Sequence, residues 1–307
     1  MVVNRRDVLR GGMAFALLPK ICAGAATDGG SFTFAHFTDI HILPERKAPE
    51  GSAKCFEKMN ALQPDFALCG GDLVFDSNET PRPKGIELFD LYQSTAKRVT
   101  VPVHSVPGNH DVFGLSNKSG VAASDPLYGK KMFEDRIGKR YSTFAHKGWH
   151  FVLLDSIGTT PDRTFIGMVD EEQLGWLAET LKPIGTTAPI VVMTHVPVVS
   201  AVMQIVPDPW KTPQTYVLQN SIDVLKILAP YNVKMVLQGH THIREEVIYN
   251  GCRFITSGAV CGNWWKGPRL GNPEGFAMLT VKGDNISWRY ETYGFVATPE
   301  AAAPTTM

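Results

Sequence analysis

The 307-residue sequence lacks any apolar run of the roughly 18 to 20 residues that a membrane-crossing helix requires, and no such helix is expected. It also lacks a charge bias. Thirty Lys and Arg face thirty Asp and Glu, and no basic block follows the first ten residues, so nothing advertises a track for a polyanion. Neither a stable nucleic-acid partner nor a membrane partner is expected. Cysteine is scarce, five residues in all, without the CxxC spacing of a structural zinc site. Cys55, Cys69, Cys252 and Cys261 could pair in three ways in an oxidising compartment, and their spacing does not choose. Cys69, inside an apolar run, reads as a plain buried thiol.

What is present is ordinary globular material, 44% hydrophobic and 20% charged, long enough to bury one large core. Residues 1–25 stand apart from it. Asn4-Arg5-Arg6-Asp7 is followed by the modestly apolar stretch from Gly11 to Leu18, and Ala23-Gly24-Ala25 offers a small-residue cleavage position. Basic, apolar and small-residue regions in that order predict a twin-arginine export signal. The implied partner is the twin-arginine translocase, and the implied location periplasmic or secreted; the alternative is a cytoplasmic protein with a basic N-terminal helix. Lys20 and Ile21 occupy positions where a lipoprotein signal carries small residues, which argues against a lipid on Cys22. Residues 31–296 form the expected domain, with a loose tail over 297–307.

Six short apolar runs read as buried strands: Phe32–Thr38, Phe66–Cys69, Val101–Val106, Phe151–Leu154, Ile190–Thr194 and Met235–Leu237. Helical segments lie between them at Ala48–Leu62, Lys84–Arg98, Asp170–Leu181 and Asn220–Leu228, with Asp170 and Gln173 placed as a helix cap and its partner. The alternation predicts an α/β sandwich whose helices cover sheet faces. After His242 only strands are expected: a hairpin of Arg244–Tyr249 and Arg253–Thr256 around Asn250-Gly251, continued by Phe276–Val281 and Ile286–Tyr290. The segment Asn117–Arg136, rich in Gly, Ser and Lys, is expected to be a lid or a surface insertion.

Metal-ligating residue types follow the apolar runs in turn. Asp39 and His41 end the first, Asp72 the second, Asn109-His110-Asp111 the third, His195 the fifth, and His240 and His242 the sixth. In open α/β sheets the crevice beyond the carboxyl ends of the strands is where ligands bind. Glycine precedes Asp72, Asn109 and His240, permitting tight turns that aim the next side chain into that crevice. One such residue is commonly a solvated loop side chain or a helix cap. Five ordered blocks are a pattern.

The pattern resembles the calcineurin-like metallophosphoesterases, whose blocks run D-x-H, G-D, G-N-H-D/E, H and G-H-x-H. The resemblance spans Asp39 to His242, about two thirds of the chain. It implies a four-layer α/β/β/α sandwich with two metal ions. Asp39, His41 and His242 would hold one ion, Asn109, His195 and His240 the other, and Asp72 would bridge them. A nitrogen and oxygen donor set without thiolate suits manganese, iron or zinc. It further implies attack on phosphorus by a metal-bound hydroxide, His110 as general acid toward the leaving group, and Asp111 holding the His110 imidazole in orientation.

The expected substrate is a small-molecule phosphoester. Phe75 stands where purple acid phosphatases carry a tyrosine ligand, and arginines usual near the G-D block of protein phosphatases are missing. The pattern is closest to bacterial class III cyclic-nucleotide phosphodiesterases and secreted relatives, which favours phosphodiester hydrolysis. The alternatives are a phosphomonoesterase, a pyrophosphate-cleaving enzyme, or a metal-binding scaffold without catalysis. Trp264 and Trp265, paired in a polar, glycine-bearing loop, are candidates for lining a substrate pocket or for covering the C-terminal strands.

Overall fold

A strand buried on both faces needs apolar side chains at every position, and the runs that begin at Phe66 and Ile190 meet that condition, while the run from Phe32 carries Thr33 and the buried His36 among its apolar residues. The computed structural model describes residues 30–206 and 213–298; the leader and the last nine residues of the expected tail lie outside the described residues. In chain order the strands are β1 (Phe32–Phe37), β2 (Phe66–Cys69), β3 (Val103–Ser105), β4 (Ser142–His146), β5 (Trp149–Leu153), β6 (Ile157–Thr159) and β7 (Phe165–Gly167). They continue as β8 (Ile190–Met193), β9 (Val233–Gln238), β10 (Arg244–Tyr249), β11 (Cys252–Ser257), β12 (Gly275–Lys282) and β13 (Asn285–Thr292). The helices are α1 (Ala48–Ala61), α2 (Arg82–Ala96), α3 (Lys131–Arg136), α4 (Glu171–Ile184), α5 (Pro213–Tyr216) and α6 (Ser221–Leu228).

Two sheets carry the architecture, one in the order β13-β12-β1-β2-β3 and one in the order β10-β11-β9-β8-β5-β4. Strands β1, β2 and β3 run parallel, as do β5, β8, β9 and β11, while antiparallel strands close the edges. Alternation along β1 shows how the layers arise. Phe32 and Phe34 point between the sheets, against Phe66, Trp149 and Phe151, and Ala35 and Phe37 point outward against Phe56 and Met59 of α1 and Phe89 of α2. On the far side α4 and α6 cover the second sheet through Leu177, Leu181, Val224 and Leu228. The order helix, sheet, sheet, helix is the four-layer sandwich. Phe34 and Phe66 stack with ring centroids 5.1 Å apart and Phe151 meets Phe34 edge-on at 5.3 Å; each such buried ring contributes about 1.5–3 kcal/mol, plus about 0.5–1.5 kcal/mol per well-placed pair.

Several expectations change. The hairpin β10–β11 turns through Asn250 and Gly251, both with positive φ as a two-residue turn demands, but β12 and β13 do not continue it. They cross to the first sheet, where β12 pairs with β1 from Phe32–Val281 to His36–Ala277. Asp170 caps α4 by accepting the Gln173 N–H at 2.8 Å, whereas the Gln173 side chain turns inward and satisfies the backbone N–H and C=O of Asp155. The segment 117–136 lies mostly at the surface, anchored by Met132 and Phe133 of α3, which are fully buried in the core beside α2. Cys55, Cys69, Cys252 and Cys261 are free thiols, Cys69 fully buried as expected.

Candidate functional site

The parallel strands of both sheets end on one side, and the seven ligand candidates follow those ends. Asp39 and His41 lie beyond β1, Asp72 beyond β2, Asn109 beyond β3, His195 beyond β8, and His240 and His242 beyond β9. Asp39, His41, Asp72, His240 and His242 all have positive φ, between 44° and 71°. Non-glycine residues adopt that region at a cost of about 1–3 kcal/mol and keep it where surrounding structure and function enforce it. Here backbone hydrogen bonds do so: Asp39 N–H to Gly71 O, Ile40 and His41 N–H to Asp72 O, and Thr241 N–H to Gly239 O.

Two of the glycines serve close approach rather than turning. Gly108 has extended backbone, and a Cβ on it would lie 2.1 Å from Asp72 Oδ1. A Cβ on Gly239 would lie 2.3 Å from Thr38 Oγ1 and 2.8 Å from Asp39 Oδ2. Any side chain at either position would displace a candidate ligand.

The donor atoms converge. His41 Nε2 lies 3.1 Å from His242 Nε2 and 3.3 Å from Asp72 Oδ2, and His242 Nε2 lies 3.3 Å from Asp39 Oδ1. His195 Nε2 lies 3.1 Å from Asp72 Oδ2 and 3.2 Å from Asn109 Oδ1, and a donor of His240 falls within 4.8 Å of those of Asp72 and His195. Two ligands each about 2.1 Å from one cation and about 90–110° apart are separated by roughly 3.0–3.4 Å. The observed spacings match the edges that such polyhedra would have, and Asp72 Oδ2 is the oxygen near both His41 and His195.

Tautomers point the same way. The Nδ1 atoms of His41, His195 and His242 face the carbonyls of Phe75, Gly70 and Gly262 at 3.4, 2.8 and 2.6 Å, and His240 Nε2 faces Thr215 O at 2.7 Å. A carbonyl only accepts, so each of these nitrogens carries the proton and the opposite nitrogen turns a lone pair inward. Lone pairs 3.1 Å apart on His41 and His242 repel unless a cation or proton lies between them. The residues therefore fit two metal ions. Cys261 Sγ lies 3.7 Å from His242 Nδ1, which faces a carbonyl, and within 4.8 Å of donors of His41 and His242; burial pushes its thiol up.

Protons occupy this charge pattern when metals do not. Burial opposes ionisation of Asp72, but His195, His110 and His41 around it hold its carboxyl well below the usual range. His242 does the same for Asp39 against the same burial. Burial lowers His195, yet the Asp72 carboxylate outweighs it and raises the imidazole from 6.5 to about 9. Burial and the neighbouring His195 bring His240 down to about 4. A raised histidine stabilises the fold fully below its unfolded value and loses that contribution as pH climbs through the folded value. The chelated protein should therefore lose thermal stability between pH 6.5 and about 9, whereas a bound cation replaces the proton and flattens that window. Melting curves with and without chelator at both pH values check this; a gap that does not widen with pH would contradict the assignment.

His110 makes none of the contacts of 3.1 to 3.3 Å that join the donor pairs, although its ring offers a nitrogen within 4.8 Å of donors of His41 and Asp72. Its backbone N–H donates to Asp72 Oδ1 at 2.8 Å, and its ring meets the His41 ring edge-on at 4.8 Å. Burial works against its charged form, but Asp72 and Asp76 together raise its pKa above the ordinary value. Asp111 does not orient it. The carboxylate of Asp111 accepts the N–H groups of Gly108, Leu73 and Val74 at 2.8, 2.9 and 3.3 Å, tying the Asp72 loop to the Asn109 loop. Residues 109–111 form one tight 3-10 turn, so neighbouring side chains diverge. The carboxylate facing the His110 ring is Asp76, Oδ1 to Nδ1 at 3.6 Å. Sequence reasoning missed Asp76 because it reads as a turn former, a role it also fills by accepting the Asn78 N–H at 2.8 Å.

The tryptophan pair divides. Trp265 is buried and its Nε1–H donates to the carbonyls of Ile40 and His41 at 2.9 and 3.0 Å, which makes it packing for the β1 loop and no pocket wall. Trp264 is partly exposed beside the centre, its indole centroid 3.9 Å from that of His41.

Residues 32–244 match the family model described as calcineurin-like phosphoesterase. The chain is 26% identical over 235 residues to a protein of Coxiella burnetii named a probable cyclic nucleotide phosphodiesterase, covering 74% of this chain and 82% of that one. It is 26% identical over 199 residues to a protein of Haemophilus influenzae named as a 3',5'-cyclic adenosine monophosphate phosphodiesterase, covering 64% and 61%. Among solved structures, a dimetal phosphatase from Danio rerio shares the fold with a TM-score of 0.61 at 18% identity, over 88% of this chain and 97% of that one. A purple acid phosphatase from yellow lupin does so with a TM-score of 0.58 at 12% identity, over 87% and 52%. With five motif blocks meeting at one crevice and the family model spanning both sheets, the chain belongs to the calcineurin-like phosphoesterase family and is a hydrolase acting on phosphoester bonds.

Proposed function

We propose that the chain hydrolyses phosphodiesters, with His110 delivering a proton to the leaving-group oxygen. The observation that carries this reading is the place of His110: beside the shared ligand Asp72, apart from the close donor contacts, and faced by Asp76 from behind. Asp39, His41 and His242 would hold one metal ion and Asn109, His195 and His240 the other, with Asp72 between them. When bound, two divalent ions supply charge neutralisation at the phosphoryl oxygens and activation of water. Asp39 and Asp72 offset only part of that charge, and the small surplus suits the single negative charge of a diester. Asp72 and, from the other side at 3.6 Å, Asp76 favour the charged form of the His110 ring. The names of the relatives from Coxiella burnetii and Haemophilus influenzae support a diester substrate of the cyclic-nucleotide class.

Metal analysis and a substrate panel on protein without residues 1–25 test the reading. Bis-p-nitrophenyl phosphate should be turned over at least about tenfold faster than p-nitrophenyl phosphate, a discrimination of about 1.4 kcal/mol in the barrier. The opposite ratio would make the enzyme a phosphomonoesterase, preference for a nucleotide sugar would make it pyrophosphate-cleaving, and a metal-loaded but inert protein would be a scaffold. We further propose that residues 1–25 direct export of the folded, metal-loaded chain. A reporter fused to residues 1–30 and still exported without the twin-arginine translocase would refute this.

A further inference from the structure

The indole of Trp264 lies against three imidazoles of the centre, its centroid 3.9 Å from His41, 5.0 Å from His110 and 5.5 Å from His242. We propose that Trp264 is the wall of a leaving-group subsite and selects phosphoesters whose leaving group carries a planar, apolar body such as a nucleobase. The inference rests on the reading above in one respect, that His110 marks the leaving-group side. Whatever oxygen takes a proton from His110 leaves with its substituent beside this indole.

The wall is built to stay in place. Trp264 and Trp265 have φ of 56° and 66°, a conformation that bulky residues keep only where their surroundings enforce it. Trp265 supplies the enforcement from below. Its ring is locked by the two hydrogen bonds to the β1 loop and fills the space over Gly51, where a Cβ would lie 2.2 Å from the indole. Arg46 supplies it from the side, donating to Trp264 O at 3.1 Å while its guanidinium rests over the Phe75 ring. Phe75 in turn meets the Trp264 indole edge-on at 5.3 Å. Core packing explains the buried Trp265. It does not explain a partly exposed indole held rigidly beside the acid; a rigid aromatic face that a flat group can stack on does.

The test measures binding rather than turnover, so it is independent of whether diesters are cleaved. Adenosine 5'-monophosphate, ribose 5-phosphate and inorganic phosphate are titrated calorimetrically into metal-loaded wild type, Trp264→Ala and Trp264→Phe, with metal content determined for each. Wild type should bind adenosine 5'-monophosphate about tenfold more tightly than ribose 5-phosphate, as one stacked base allows. Trp264→Ala should abolish that preference with phosphate affinity within about twofold of wild type, and Trp264→Phe should keep most of it. Equal affinity for the two sugar phosphates in wild type would overturn the proposal, and so would a preference that survives Trp264→Ala. Parallel loss of metal and of all three ligands in both variants would overturn it too, since Trp264 would then serve only to support His41. If the wild type turns over no diester yet shows the preference, the reaction assignment falls and the wall stands.

Discussion

Replacing His110 by asparagine should lower kcat on a diester with an alkoxide leaving group by roughly two to four orders of magnitude, the usual contribution of a positioned general acid, while two metal ions stay bound. The hydrogen bond from residue 110 to Asp72 Oδ1 comes from the backbone, so the substitution leaves the shared ligand held. The imidazole itself makes none of the close donor contacts that join His41, His195 and His242 to the carboxylates. What is lost is the proton an imidazole can donate, its protonated form being the one that Asp72 and Asp76 favour. A p-nitrophenolate leaving group needs no such proton, so its turnover should fall far less. Comparing the two substrates in wild type and His110→Asn, with metal content measured alongside, separates the roles. Equal losses on both would assign His110 to phosphate positioning, and wild-type rates would remove it from the mechanism.

Asp72→Asn should be harsher, with activity down on the order of a thousandfold or more, as removal of several kcal/mol of charge stabilisation implies, and metal content below two ions per chain. A single oxygen of Asp72 reaches both halves of the site, 3.3 Å from His41 Nε2 and 3.1 Å from His195 Nε2. Its other oxygen accepts the His110 N–H. An amide has one acceptor, so the variant either gives up the backbone bond or turns an NH2 toward the metals. The charge that raises His195 also disappears, and the pH-dependent gap between chelated and loaded protein should narrow. Full occupancy with near-native kcat/KM would show that a bridging carboxylate is not required.

The parts legible in the sequence were those written locally. Phe66-Ala67-Leu68-Cys69 is apolar at every position because both of its faces are covered, and the run matches β2 residue for residue. The candidate ligands could be picked out because each follows a parallel strand, and parallel strands end on one side. What failed depended on contacts distant in sequence. Alternation in Phe276–Val281 marks a strand but carries no label for the sheet it joins, and the pairing of β12 with β1 spans most of the chain. Asp111 sits next to His110 yet serves Leu73, Val74 and Gly108, because a 3-10 turn sends adjacent side chains apart. Asp76 reaches the ring instead, from a loop 34 positions earlier. The division of Trp264 from Trp265 was likewise invisible: adjacent indoles in one loop differ only in what β1 and α1 place beneath them.

Each proposed ion takes ligands from both sheets. Asp39 and His41 leave the first sheet and His242 the second; Asn109 leaves the first and His195 and His240 the second. The metals would thus act as rivets across the open end of a sandwich that is also held by the packing of Phe34, Phe66 and Phe151 and by hydrogen bonds between the sheets, such as that of His36 Nδ1 with Ser257 Oγ at 2.5 Å. Interdigitated side chains resist separation and fix the register of the layers. Rivets resist shear. Either ion alone would pin one sheet to the other, so the second ion would enter a gap already set to its width, and metal loading would be cooperative through the alignment of the two sheets.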